Sequence, residues 1–110
     1  MLHEIREYLA VPGRFPALIE FFNVHTVPMF EKLDMELVGA GTTWFGENSI
    51  NELVYTMRFA DIKELELKWN QLVTDPGWTA ALGEAEAKAG GPLVASIKRR
   101  VLDSAAVGGK

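Results

Sequence analysis

Two histidines, a carboxylate and a tyrosine are the groups with which this chain could move a proton. His25 has the most telling position. It falls on the run Leu18, Phe21, Phe22, His25 and Met29, whose three- and four-residue steps make one apolar face of a helix. It is therefore expected to face the sheet, where an imidazole, charged or neutral near physiological pH, suits proton abstraction beside a carbonyl or from a phenol. The alternative is a core histidine bonded to a backbone carbonyl, such as the Val24 oxygen to which Pro28 brings no N–H. Glu7 and His3 share a strand face with Ile5. If helices cover that face, both enter the same cavity and Glu7 assists His25; otherwise exposure at a strand end solvates them. Tyr55, on the face of Leu53 and Phe59, either bonds or protonates a substrate oxygen or holds a structural bond. The candidate catalytic set is thus His25, Glu7 and Tyr55. His3, Trp44, Met57, Trp69 and Trp78 are the candidate lining for a flat ligand, with core or interface packing as the competing use of the tryptophans.

Other chemistries lack their residues. Cysteine is absent, which excludes disulfides, thiolate metal sites and a cysteine nucleophile. There is no Gly-rich phosphate loop, no nucleophile elbow and no zinc-type histidine spacing, so neither a metal nor a cofactor is expected. The formal charge of -4 opposes nucleic-acid binding, which needs concentrated positive charge. Lys98-Arg99-Arg100 lies on an expected strand, where neighbours point to opposite faces. No apolar run approaches the roughly 18 residues of a membrane span. Met1-Leu2-His3-Glu4 does not open a signal-peptide segment, so a cytoplasmic protein is expected.

The elements that position these groups repeat once. Leu2 to Ala10 reads as a strand, with His3, Ile5, Glu7 and Leu9 on one face and Glu4, Arg6 and Tyr8 on the other. Pro12-Gly13 turns the chain into a helix from about Phe15 to Leu33, kinked at Pro28. Met35 to Phe45 is a second strand whose Gly39 and Gly41 suggest a bulge, and Asn51 to Phe59 is a third. Asp61 caps the next helix, with Glu64 three residues on and Ile62, Leu65, Trp69 and Leu72 as its buried stripe. Asp75-Pro76 starts a short helix that turns Trp78 and Leu82 inward and ends at Gly90-Gly91. Pro92 to Leu102 is the fourth strand. Two such β-α-β units in one domain, residues 1–103, build an α+β fold: a ferredoxin-like, four-stranded antiparallel sheet with helices on one face. Residues 104–110 form a small, Gly-rich tail. The uncovered face, expected to carry Val54, Thr56 and Arg58 with Glu4, Arg6 and Tyr8, is too mixed for a core and suits a homodimer stacking sheet on sheet.

The order Glu4-x-Arg6-x-Tyr8, Pro12-Gly13, His25-x-x-Pro28, Gly39, Asn51 through Arg58-Phe59 and Asp75-Pro76-x-Trp78 resembles the NIPSNAP family over about four-fifths of the chain. The resemblance implies a dimeric α/β-barrel in which two ferredoxin-like protomers pair their sheets. Each protomer then keeps a small-molecule cavity between its sheet and helices. Relatives of that architecture include cofactor-independent monooxygenases, polyketide cyclases, isomerases, lyases and haem-degrading enzymes. The expected function is accordingly a cofactor-independent enzyme (lyase, isomerase, cyclase or monooxygenase) acting on an apolar aromatic or polyketide-like molecule. The alternative is a non-catalytic homodimeric binding or interaction module.

Overall fold

The structure, a computed structural model, describes residues 1–103; the tail expected over 104–110 lies outside them. Strands β1 (Leu2–Ala10), β2 (Glu36–Thr42), β3 (Glu52–Phe59) and β4 (Val94–Asp103) form one antiparallel sheet in the order β2-β3-β1-β4. β1 is central, pairing with β3 from Leu2↔Phe59 to Leu9↔Glu52 and with β4 from Leu2↔Asp103 to Leu9↔Ser96. The bulge expected near Gly39 is present as a register shift between Leu37 and Gly39. Helices cover one face, as the sequence implies.

The first helix has three parts. α1 (Phe15–Phe21) begins with a proline in its first turn, which needs no N–H there. A π-helical turn, Phe22–Thr26, comes next, and α2 (Val27–Lys32) completes the helix. At the turn's end the Val27 N–H reaches back five residues to the Phe22 carbonyl. The kink expected at Pro28 takes this form: its ring would press on the Val24 carbonyl of a regular helix, and an added residue opens the turn just before it. The extra residue also rotates α2 relative to α1. Thr26, Met29 and Phe30 are buried, while His25 is exposed.

α3 (Ile62–Val73) starts as its sequence signals, with the Asp61 carboxylate accepting from the Glu64 N–H at 2.8 Å. Leu65, Trp69 and Leu72 are buried, whereas Ile62, at the first turn, is exposed. The Asp75 carboxylate caps α4 (Pro76–Ala89) through the Trp78 N–H at 2.9 Å. This helix runs 14 residues, longer than its start signal alone suggests, until Gly90 ends it at φ +94°, where glycine costs least. No helix among the described residues is long and apolar enough to cross a membrane.

Between the layers lies an aromatic core. Phe22 and Phe30 meet the Tyr55 ring at 4.9 and 5.9 Å, and Phe30 meets Trp69 edge-on at 5.8 Å. Each such buried ring contributes up to about 1.5–3 kcal/mol through its area, with more from the edge contacts.

Candidate functional site

The site begins with a choice of face on β1. On β3, Leu53, Tyr55, Met57 and Phe59 point at the helices, as their alternation implies. Directly opposite them on β1 stand Tyr8, Arg6, Glu4 and Leu2, and directly opposite residues share a face. Glu4, Arg6 and Tyr8 therefore lie under the helices, and His3, Ile5, Glu7 and Leu9 lie on the open side. The expected assignment for β1 is inverted.

A buried carboxylate is tolerated only with partners, and Glu4, fully buried, has three. Oε1 accepts from Trp69 Nε1 at 2.6 Å, while Oε2 accepts from Arg99 Nε at 2.6 Å and from Arg6 Nη1 at 3.2 Å. The Arg6 guanidinium also lies over the Trp69 ring, 4.2 Å from its centroid. Its Nε donates to the Tyr8 hydroxyl at 3.1 Å, and the Tyr55 hydroxyl donates to the same oxygen at 2.8 Å. Among the described residues, no buried side-chain nitrogen or oxygen lacks a partner.

This chain of polar groups ends at a cavity of about 240 Å³ between sheet and helices. Tyr8, Leu53 and Tyr55 form its floor; Leu18, Phe21, Phe22 and Thr26 one wall; Trp69 and Leu72 another; Trp78 and Leu82 of α4 a third. Trp78 is fixed by its Nε1 donating to Thr26 Oγ1 at 3.2 Å and by an edge contact with Phe21. The π turn thus supplies the hydroxyl that orients a cavity tryptophan.

Burial, and then the neighbouring Tyr8, hold the Tyr55 phenol well above its ordinary range, against the opposing pull of Arg6. Tyr55 stays protonated and donates. Burial alone would lower the pKa of Arg6, but Tyr8, Tyr55 and Glu4 outweigh it and raise it, so its charge is secure. The Tyr8 oxygen accepts from both neighbours, which leaves its own proton to give. The arrangement can offer one oriented hydroxyl, backed by a permanent cation, to an oxygen in an otherwise apolar space.

Of the expected site residues, the structure brings Tyr55, Trp69 and Trp78 to the cavity. It places His25 outside: the ring packs on Phe21 at 5.2 Å and borders two shallow surface hollows, because the π turn breaks the stripe on which its spacing set it. Glu7 lies on the open face, 4.0 Å from Arg100, and His3 lies there too. Trp44 comes after β2 in an exposed loop, 75 % accessible and edge-on to Phe45. Met57 is fully buried core and does not line the cavity. Sequence reasoning assigned Glu4, Arg6 and Tyr8 to the uncovered face and so did not place them at the cavity. A signal for them exists: the N–H of Trp69 and the hydroxyl of Tyr55, both on buried stripes, require partners that the polar face of β1 can supply.

The helix-covered, four-stranded antiparallel sheet is an α+β fold shared with known solved structures. The sequence model of the NIPSNAP family matches residues 3–107, and the chain belongs to that family. It is similar to an uncharacterized NIPSNAP domain protein from Burkholderia xenovorans, with a TM-score of 0.78 at 20% identity over 97% of both chains. It is also similar to a NIPSNAP family protein with unknown function from Agrobacterium tumefaciens, with a TM-score of 0.76 at 24% identity over 93% of this chain and 86% of that one. At these identities the likeness shows a common fold. No curated protein matches the chain.

Proposed function

We propose that this NIPSNAP-family protein binds a small, largely apolar molecule between sheet and helices, and that Tyr8 meets an oxygen of that molecule. The observation that carries this is the Tyr8 hydroxyl on the cavity floor, accepting from Arg6 and Tyr55 and left with its own proton to donate. A carbonyl or phenolic oxygen suits such a donor, and aromatic walls suit a flat apolar body. If the protein is an enzyme, the same arrangement supports cofactor-independent chemistry at a carbonyl: lyase, isomerase, cyclase or oxygenase. Tyr8 then polarises the oxygen, Tyr55 and Arg6 hold Tyr8, and Glu4 fixes Arg6. The helper role expected of Glu7 passes to these groups, and that expected of His25 to Tyr8.

The test is thermal stabilisation by a panel of small aromatic acids, phenols and ketones. A stabilising compound should bind Tyr8→Phe about tenfold more weakly, the worth of one good hydrogen bond, and His25→Ala unchanged. Binding that survives Tyr8→Phe but fails in His25→Ala would overturn the assignment.

A second copy of the chain is the partner proposed for the open face. Ile5, Leu9 and Val54 there stand among the opposed charges Glu7 with Arg100 and Glu36 with Arg58. Such a mixture suits a twofold, self-complementary contact, and it supports the reading of a homodimeric module whether or not the cavity is catalytic.

A further inference from the structure

We infer that the molecule held in the cavity is an anion, an apolar carboxylate or a group of like geometry, whose negative end is met by Arg6 and Tyr8. This rests on the cavity being a binding site, as proposed above, and goes beyond it by giving the ligand its charge. Arg6 and Arg99 stand directly opposite each other on β1 and β4, on the helix side of the sheet. Two like charges in that position repel, and the pair is held by one carboxylate between them, Glu4. Two guanidinium charges against one carboxylate leave one positive charge in excess. Glu4 carries a single negative charge and cannot balance both guanidinium groups.

The excess lies where water is scarce. The Arg6 side chain is 11 % accessible and lines the cavity, whereas Arg99, at 48 %, reaches solvent at the edge strand. A cation flanked by aromatic rings and little water attracts an anion more strongly than an exposed one does. An Arg6 N–H beyond those given to Glu4 and Tyr8, and the spare proton of Tyr8, then offer two donors to one carboxylate, the first of them charge-assisted. From α4, Glu86 adds an ionisable lining group of opposite sign. Its negative charge disfavours an anion at the α4 end, which orients the ligand with its acid group toward β1 and its apolar body away from it.

Two matched pairs of probes test the charge apart from the shape: 2-naphthoate against 2-naphthamide, and octanoate against octanamide, titrated calorimetrically at pH 7. At least one acid should bind ten or more times tighter than its amide. Arg6→Gln should abolish that preference. Arg99→Gln changes a half-exposed edge residue and keeps a donor for Glu4, and it should narrow the preference about threefold while leaving the amide's affinity alone. Amides that bind as well as their acids in every pair that binds, or a preference untouched by Arg99→Gln in the folded protein, would overturn the anion while sparing the cavity as a site. No binding by any of the four would overturn both readings.

Discussion

The two faces of the sheet are built from the same four strands and handle charge in opposite ways. Under the helices, Glu4 is fully buried and held by three donors, with arginines on its own and the neighbouring strand. On the open side, Glu7 meets Arg100 only at 4.0 Å with both partly in water. Three residues apart on one strand, the two glutamates differ in what they hold together. The buried one organises two arginines, a tryptophan and, through Arg6, both tyrosines. The other is a solvated partner worth under about 1 kcal/mol. Buried charge here is tolerated because a network of donors satisfies it, and that network borders the cavity proposed as the binding site.

The sharpest way to break this comparison is to delete both carboxylates. Glu4→Ala leaves Arg6 and the Trp69 N–H without their acceptor and should cost about 3–5 kcal/mol, whereas Glu7→Ala should stay within about 1 kcal/mol. Urea denaturation of the two variants would settle it, and equal losses would show that the faces are energetically alike. Next in size is Val54→Asp, which puts a charge on the open face without a partner. If that face pairs two copies, dimer dissociation should rise at least tenfold, about 1.4 kcal/mol, in light scattering, with the protomer's helix signal intact. A monomeric wild type at micromolar concentration would remove the proposed partner.

The smallest effect is Tyr55→Phe, at about 1 kcal/mol for one hydrogen bond, and it carries a pH signature. The folded chain holds this phenol above its ordinary pKa, so above about pH 10 the unfolded chain gives up its proton first. Stability should fall as pH rises beyond that point. Below it, Tyr55 adds no slope. Tyr55→Phe should flatten the decline, as read from denaturation midpoints between pH 9 and 11, and tyrosinate absorbance should show Tyr55 ionising only with unfolding. A slope identical in the variant would mean that Tyr55 ionises freely in the folded state.

Most of the fold was legible because apolar alternation and capping chemistry are local. Leu53 to Phe59 declared its inner face, Asp61 and Asp75 declared two helix starts, and Gly39 declared a bulge. Two things were not local. The inner face of β1 is the more polar one, and only its register against β3 shows it: Arg6 lies inside because it stands opposite Tyr55. His25 was misplaced by counting a uniform helical period through Phe22–Thr26, where the chain carries one residue more per turn. Both errors fell on the site. There the polar groups satisfy one another across the molecule, and local pattern says nothing of such partnerships.

The central position of β1 has a consequence for how the protein is made. Its two neighbours are synthesised after it, and the Arg99 that neutralises Glu4 lies 95 residues further along the chain. At roughly 5–20 residues per second, the ribosome takes about 5–20 s to travel from one to the other. For that interval the strand that will sit at the middle of the sheet can neither complete its ladder nor shelter its carboxylate. The sheet can close only when the last strand arrives. Closure thus waits on the pairing of β1 with β4, which among the described residues joins Leu2 to Asp103. Such long-range topology is the regime in which proteins fold slowly and a nascent chain depends most on being shielded from its neighbours.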